Sequence, residues 1–272
     1  MSSILTNTSA MVALQTLKAT NSGLAKTQNE ISTGMKVATA KDNSSSWAIA
    51  ARMRSDVTAF TKLSESLTVG NAVVGVARTA AETIVESLGK IQEKVVQARE
   101  PGADLVALQA DVDAYLATIT STAASAQFNG INLVKATPDS ASIVVSMIRT
   151  DASTVSTAGS GTLAVAGVDL EALGAALALA GTDADLTAVQ ARLTTASNAA
   201  ATFGAAQIRI EAQQSFLDKQ ADALKTGIGA YVDADMEAAS ARLQALQVQQ
   251  QLGIQALSIA NQAPQSLLAL FR

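Results

Sequence analysis

Residues 60–95 read FTKLSESLTVGNAVVGVARTAAETIVESLGKIQEKV, and apolar or small side chains recur along them at alternating spacings of three and four. The positions are Phe60, Leu63, Leu67, Gly70, Val74, Ala77, Ala81, Ile84, Leu88, Ile91 and Val95. This spacing, held over many turns, is typical of a coiled-coil seam and not of a loosely amphipathic helix. The stretch therefore predicts a long helix that packs against other helices along one line.

Two later segments repeat the same spacing, so the first helix has partners within the chain. One comprises Leu105, Leu108, Val112, Tyr115, Ile119, Thr122 and Ala126, and the other comprises Leu186, Val189, Leu193, Ala196, Ala200, Phe203, Gln207, Ile210, Gln214, Leu217, Ala221, Leu224 and Ile228. Pro101 and Gly102 separate the first segment from the second, which lets the two run antiparallel. The third segment must return along the chain and pack against both.

The two ends differ from this middle because they carry almost no charge. Residues 1–17 contain no Asp, Glu, Lys or Arg, and neither does the stretch between Arg242 and Arg272. One N-terminal helical stripe holds Ala10, Leu14, Leu17, Leu24 and Ile31, while Leu243, Leu246, Ile254 and Leu257 share one region of the C-terminal helix and Val248, Leu252 and Ile259 share another. Apolar groups on more than one face predict helices that are buried on more than one side.

Breaks in the pattern set the expected domains. The segment STGMKVATAKDNSSS (32–46) offers Asp42 and Asn43 as helix caps, and TGIGAYVDAD (226–235) offers Gly227 and Gly229 as helix stops. Asp233 or Asp235 would then begin the last helix. We expect a terminal-helix inner core domain (1–33 and 233–272), linker segments (34–43 and 227–232) and an outer coiled-coil domain (44–226).

Residues 129–169 are the one region expected to be non-helical. Ile143-Val144-Val145 and Leu163-Ala164-Val165 indicate short strands, and the Ser/Thr/Gly-rich stretch TDASTVSTAGSGT (150–162) resembles a hairpin linker. The predicted fold class is mainly α: long antiparallel coiled-coil helices, paired terminal helices and a small β-hairpin region at the far end.

Composition excludes several function classes. The 272 residues include no Cys and no His, which removes disulfides, thiolate nucleophiles, ordinary zinc sites and the commonest general base. A net charge of −4 does not favour nucleic acid, which needs a clustered basic face. The N-terminus lacks the pattern of a cleaved signal peptide, and no stretch of about 20 residues is apolar enough for a membrane span.

Two groups of carboxylates, Asp104/Asp111/Asp113 and Asp233/Asp235/Glu237, would be the only candidates for acid–base chemistry or metal binding. Acidic residues favour the first turn of a helix, so these groups are interpreted as helix starts and solvated faces. No phosphate-binding loop, nucleophile elbow or dinucleotide fingerprint is present. We therefore expect no enzyme activity, no cofactor and no metal site.

Three motifs in one order resemble the bacterial flagellin family. They are ISTGMKVATAKDNSSSWAIAARM (31–53), AQFNGINLV (126–134) and LGIQALSIANQAPQSLLALFR (252–272), and the resemblance covers roughly 1–135 and 180–272. The short middle is similar to compact alphaproteobacterial members. The resemblance implies inner terminal helices, an outer rod, and polymerisation into the flagellar filament, the passive helical propeller for swimming.

The family resemblance also implies partners and a route out of the cell. The subunit would be exported unfolded through the flagellar type III pathway without a cleaved signal peptide, and would meet an export chaperone, the filament cap and hook-junction proteins. The receptor of innate immunity that recognises many flagellins would respond weakly, because LGKIQEKVVQ places Gly89, Lys90 and Lys94 where stimulatory relatives have Gln, Arg and Leu. No nucleic acid or membrane partner is expected.

The residues expected to carry assembly are apolar residues of the terminal helices. They are Leu14, Leu17, Leu24, Ile31, Leu246, Leu252, Ile254, Leu257, Ile259, Leu267, Leu268, Leu270 and Phe271. Related flagellins often carry O-linked sugar on exposed Ser or Thr, and the candidates here are Ser140, Ser142, Ser153, Thr154, Ser156, Thr157, Ser160 and Thr162. An unmodified polar loop is the alternative for these hydroxyl residues.

Three other functions are alternatives to that of a filament subunit. A hook–filament junction protein shares terminal helices of this kind but usually has a longer middle and a poorer match to the C-terminal motif. A signalling coiled coil, such as the cytoplasmic part of a chemoreceptor, would need charged positions beside its seam and a continuous helical hairpin. An enzyme fits least, for the reasons given above.

Overall fold

The computed structural model describes the backbone of residues 7–146, 148–149, 155–156 and 161–270, and the side chains of residues 7–146 and 161–262. Within these residues the helices are α1 (Thr8–Thr33), α2 (Ser44–Gln97), α3 (Leu105–Ser125), α4 (Asp183–Val232) and α5 (Met236–Leu270). The strands are β1 (Ser140–Val144), β2 (Ile148–Arg149), β3 (Val155–Ser156) and β4 (Thr162–Ala166). The predicted mainly α fold with a small β-hairpin region is confirmed.

The chain divides into two compact units. We call Met1–Val57 with Ala223–Arg272 the terminal unit and Thr58–Asp222 the central unit. Helices α2 and α4 contribute residues to both units, whereas α1 and α5 belong to the terminal unit and α3 belongs to the central unit.

The central unit has a continuous apolar core built on the predicted seams. Leu67, Val74 and Ile84 of α2 are fully buried, and so are Phe203 and Ile210 of α4. One cluster joins residues of α2, α3, α4 and the strands. On α3 the buried line also includes two residues that the spacing did not select, Leu116 and Ala123. The 3-4 spacing therefore located a buried line on each of the three helices, and α2 and α4 likewise bury residues that it did not select, such as Val73 and Ala199.

The β-hairpin region packs onto this core through alternate residues. Strands β1 and β4 are antiparallel with Ile143 opposite Leu163, and both side chains are buried. A Cβ placed on Gly70 of α2 would lie 2.7 Å from Ile143 Cδ1, so only glycine leaves room for the strand at this point in the seam. Strands β2 and β3 form a second antiparallel pair. The rest of the predicted 150–162 linker lies largely outside the described residues.

Residues 170–182 differ from expectation. The sequence LEALGAALALAGT has strong helix formers, yet the described backbone is a single 3₁₀ turn, Glu171–Gly174, followed by irregular chain as far as α4. Side chains of neighbouring helices form hydrogen bonds with the backbone of this segment. Gln109 donates to the Leu177 carbonyl at 2.9 Å and accepts from the Leu179 N–H at 2.7 Å. Arg192 donates to the carbonyl of Ala175 at 2.8 Å. These tertiary hydrogen bonds override local helix propensity.

The prediction that Gly227 and Gly229 end a helix is wrong, since α4 continues through both to Val232. A glycine inside a helix costs only about 1 kcal/mol relative to alanine, which tertiary packing can offset. The break falls instead between Val232 and Met236, where Asp235 caps α5 by accepting from the N–H groups of Glu237 and Ala238.

One of the two predicted caps, Asn43, begins α2, and Gly34 provides a helix end that was not predicted. Asn43 accepts from the Ser46 N–H at 3.1 Å and begins α2. Asp42 instead accepts from the N–H and hydroxyl of Thr39, and the first of these hydrogen bonds is the main reason that the pKa of its carboxyl lies below the ordinary value. Gly34 ends α1 in the left-handed conformation, with φ of 69°.

The two segments that join the terminal helices to the long helices bind each other inside the terminal unit. The Lys36 N–H donates to the Val232 carbonyl at 2.7 Å, and the Ala234 N–H donates to the Gly34 carbonyl at 3.0 Å. These bonds fix where α1 ends and α5 begins relative to one another, and so align the helices that form the candidate site.

Candidate assembly surface on the terminal helices

Helices α1 and α5 pack along each other in the terminal unit, and as far as residue 262 each buries one narrow face. Thr20 and Thr27 are the buried residues of α1, and Ala239 is the buried residue at the start of α5. The remaining contact face is half-buried and consists of Ala10, Ala13, Leu17, Gly23, Leu24, Ile31, Leu243, Leu246, Gly253, Leu257 and Ala260. A pair of helices cannot enclose a core as three helices do, so this seam stays partly open.

Polar groups contribute to the seam at two points. Asn7, which caps α1, donates from its side-chain amide to the Ala260 carbonyl at 2.7 Å. Gln250 donates to the side-chain oxygen of Asn21 at 2.8 Å. From one contact to the other the α1 residue number rises from 7 to 21 while the α5 number falls from 260 to 250, so α1 and α5 are antiparallel.

The outward faces of both helices carry large apolar side chains. Ile259 is 69% exposed, Met11 is 65% exposed and Val12 is 62% exposed. The others in this class are Leu14, Val248, Leu252 and Ile254, apart from Met236 at the first position of α5. We call these seven residues the outward apolar set. Exposed apolar side chains are ordinary when scattered, but a set concentrated on two packed helices marks an interaction surface.

An open groove of about 450 Å³ follows one side of α1 within this surface. Its described lining is Thr8, Met11, Val12, Leu14, Gln15 and Lys18. Lys18 is the first charged side chain in the sequence, so the rest of the described lining is uncharged. Such a groove suits an apolar helix more than a charged ligand.

The predicted assembly residues divide between the two faces. Leu17, Leu24, Ile31, Leu246 and Leu257 lie on the half-buried seam. Leu14, Leu252, Ile254 and Ile259 belong to the outward apolar set. The side chains of Leu267, Leu268 and Leu270 lie outside the described part of the chain, and so does Phe271.

Three residues of the outward apolar set are absent from the predicted assembly list: Met11, Val12 and Val248. The second apolar face of α5 was predicted, but Val248, which shares it with Leu252 and Ile259, was not included. On α1 only one apolar stripe was predicted, and Met11 and Val12 lie outside it.

The carboxylate groups considered for chemistry serve structure. Asp104 caps α3 by accepting from the N–H groups of Val106 and Ala107. Asp111 lies 2.8 Å from Lys94, and this hydrogen bond raises the pKa of the lysine. Among the described residues no group of three or more acidic side chains could hold a metal ion. In the same part of the chain no helix is both long and apolar enough to cross a bilayer.

Three of the O-glycosylation candidates lie on the exposed face of one small sheet. Ser140 and Ser142 of β1 and Thr162 of β4 alternate with buried residues and are exposed. The backbone of Ser156 lies in β3. Ser153, Thr154, Thr157 and Ser160 fall outside the described residues.

Comparison with known proteins gives matches at both ends of the chain and along its full length. Residues 4–138 match the family model described as the bacterial flagellin N-terminal helical region, and residues 185–271 match that of the C-terminal helical region. A flagellin of Brucella melitensis is 40% identical over 283 residues, which cover all of both chains. Flagellin FljK of Caulobacter vibrioides is 36% identical over all of this chain and 99% of its own. Flagellin C of Rhizobium meliloti is 38% identical over 320 residues and the whole of both chains.

Proposed function

This chain belongs to the bacterial flagellin family, and from that premise we propose how its surface builds a filament. It is a structural subunit that polymerises into the flagellar filament, an extracellular appendage and the passive helical propeller of swimming motility. We propose that the outward apolar set of α1 and α5 is the surface buried between copies.

The observation that supports this proposal is the contrast in burial between the two faces of the terminal helices. Fully burying a Val, Leu or Ile side chain is worth about 1.5–3 kcal/mol. Side chains that are already half-covered recover about half of that, so seven of them provide several kcal/mol per subunit. A lattice repeats this gain at each neighbour.

The contact between copies is heterologous in this proposal. The α1 part of the set, Met11, Val12 and Leu14, would meet the α5 part of a neighbouring copy, Val248 to Ile259, without the same contact being made in return. A heterologous contact whose rotation does not close a ring generates an open helical polymer. A filament follows from that geometry, whereas a self-complementary patch would give a closed dimer.

Glutamine suits this surface because identical subunits bring like residues together. Gln247, Gln249, Gln251 and Gln255 are exposed on α5, in a stretch with no charge. Uncharged amides donate and accept hydrogen bonds without the repulsion of like charges side by side. We propose that they form lateral hydrogen bonds or line a wet channel.

We also propose a domain division for the polymer. Residues 1–33 and 233–272 form the inner core domain, 34–43 and 227–232 act as linkers, and 44–226 form the outer domain with the β region at 129–169. The two compact units, which separate near residues 57 and 223, support an inner and an outer zone.

Export and partners follow from the family. We propose export through the flagellar type III pathway, with a chaperone, the cap and hook-junction proteins as partners.

If Ser140, Ser142 or Thr162 carries O-linked sugar, the intact mass of filament protein will exceed the mass of the sequence. A mass equal to that of the sequence would refute modification.

Weak recognition by the innate-immune receptor is a further proposal. Gly89 presents no side chain, and Lys94 is held by Asp111 at 2.8 Å, so the lysine is less free to contact a receptor. Lys90 lies 3.6 Å from Glu93. We expect little signalling by purified monomer in reporter cells, and a strong response would refute the proposal.

The central test replaces outward apolar residues without touching the seam. We expect L252Q/I254Q/I259Q to reduce the sedimentable filament fraction at least tenfold, because the apolar area between copies is lost. Val106→Gln is the matched control, since Val106 is 82% exposed in the central unit and lies outside the outward apolar set. Normal polymerisation of the triple variant would refute the assembly surface.

A further inference from the structure

The middle of the α1–α5 seam has a reciprocal arrangement of large and absent side chains. Leu17 of α1 lies against Gly253 of α5, where an added Cβ would come 3.2 Å from Leu17 Cδ1. Leu246 of α5 lies against Gly23 of α1, where an added Cβ would come 3.6 Å from Leu246 Cδ2. Each helix thus offers one leucine and one glycine, and each leucine occupies the space that a glycine leaves.

Between these two contacts lies the hydrogen bond from Gln250 to Asn21. Position 17 of α1 therefore contacts 253 of α5, position 21 contacts 250, and position 23 contacts 246. Leu17 and Leu246 are both half-buried, so they belong to the packed face.

These three contacts form together at only one position of α1 along α5. A slip of one helical turn moves a residue by about four positions, which would place Leu17 near Gln249 or Leu257 in place of Gly253. A leucine would then meet a large side chain where it now meets a glycine, and overpacking of this kind destabilises a contact. The same slip separates Asn21 from Gln250 and breaks their hydrogen bond.

We propose that Leu17, Asn21, Gly23, Leu246, Gln250 and Gly253 form a register lock, which sets the longitudinal position of α1 on α5 within each subunit of the filament. The inference rests on the proposed assembly surface, because that surface is composed of residues from both helices. A slip of one turn displaces Met11 and Val12 by about 5.4 Å relative to Ile254 and Ile259. Neighbouring copies would then present apolar faces that do not match, so the six residues act as positioning residues for polymerisation.

The register can be measured directly because the chain contains no cysteine. Asn7 and Ala260 are in contact and lie outside the lock, so N7C/A260C reports the native register and N7C/A256C reports a slipped one. In filaments of the otherwise unaltered chain, a short thiol cross-linker should join 7 to 260 at least ten times faster than 7 to 256. Products with the mass of one chain identify cross-links within a subunit. Equal rates for the two pairs would overturn the proposal.

Exchange of the leucine and glycine tests whether the lock controls assembly. Gly253→Leu places two leucines together and should lower the sedimentable filament fraction at least tenfold. L17G/G253L restores one leucine against one glycine and should return the fraction to within threefold of the unaltered chain. Gly89→Leu is the matched control, because it makes the same change at a helical glycine of the central unit where an added Cβ meets nothing within 4 Å, and we expect a filament fraction within twofold of normal.

The outcomes separate this proposal from the assembly surface on which it rests. Normal filaments from Gly253→Leu, or no rescue by the exchange, would overturn the register lock. L252Q/I254Q/I259Q keeps all six lock residues, so its failure to polymerise should not be rescued by L17G/G253L. If that variant polymerises, the assembly surface is wrong, whatever the cross-linking shows.

Discussion

The central and terminal units use the same kind of helix and reach opposite degrees of burial. In the central unit Val74, Ile84, Leu88 and Phe203 are completely buried, and the core is continuous. In the terminal unit the α1–α5 seam is mostly half-buried, and both helices keep exposed apolar residues. Three packed helices can surround a core, whereas two cannot. The terminal unit thus has an open core, and in the proposed assembly other copies complete it.

Removing most of the last helix should have the largest effect on the terminal unit and little effect on the central unit. Deletion of residues 243–272 should abolish filaments, since it removes the α5 side of both the seam and the outward apolar set. The central unit should remain folded because its core includes no residue of α5. Electron microscopy and urea unfolding of the truncated chain check the two expectations. Normal filaments would show that assembly does not depend on α5.

The next largest effect comes from truncating one residue in each unit. Phe203→Ala should lower the free energy of unfolding by about 3–5 kcal/mol, because it leaves a cavity in a fully enclosed core. Ile259→Ala should change the stability of the monomer by less than about 0.5 kcal/mol, because the side chain is 69% exposed. Urea titration of both variants as monomers measures the difference. Similar losses would mean that the two units are equally closed.

A smaller effect is expected from the irregular strap at residues 170–182. Gln109→Leu removes the bonds to the backbone of Leu177 and Leu179, and should cost about 1–3 kcal/mol of central-unit stability. Gln251→Leu is a matched control, because Gln251 is exposed on α5, outside that unit. Thermal unfolding of the monomer compares them. A loss no larger than that of the control would show that the strap is held mainly by packing.

The smallest expected effect is that of acid on the stability of the central unit. Backbone N–H groups hold the pKa of Asp185 and of Asp139 below the ordinary value; the largest cause is the Thr182 N–H for Asp185 and the Asn132 N–H for Asp139. A carboxyl whose pKa is depressed in the folded state stabilises that state above its unfolded pKa of about 3.9, and this stability is lost as the pH falls through the folded value.

D139N/D185N therefore should flatten the dependence of central-unit stability on pH below about pH 4. Urea midpoints of the monomer between pH 2 and pH 6 measure this dependence. An unchanged slope in the double variant would assign the acid sensitivity to other carboxyls.

The sequence was most informative where the partners of a helix lie within the chain. The 3-4 spacing located Leu67, Ile84 and Ile210 in the core because a seam needs one apolar residue at each contact. It could not show that residues 170–182 are irregular, since that depends on the side chains of Gln109 and Arg192, which are distant in sequence. Nor could it place the end of α4, because Gly227 and Gly229 are accommodated by packing.

The candidate site was only partly predictable for a related reason. A helical wheel shows that Leu246 and Leu252 lie on different faces, but the sequence does not say which face meets α1. Contacts such as Asn21 with Gln250 and Leu17 with Gly253 decide that, and they depend on the register of two helices that lie far apart in the chain.

The hydrogen bond from Asn7 to Ala260 also bears on the order in which the helices can pair. It spans 253 residues, compared with 68 for the bond between Gln109 and Leu177. A chain that emerges from its N-terminus exposes α1 first, and α1 has no α5 to pair with until almost the whole chain has followed. The first helix to emerge is thus among the last to find its partner within the chain.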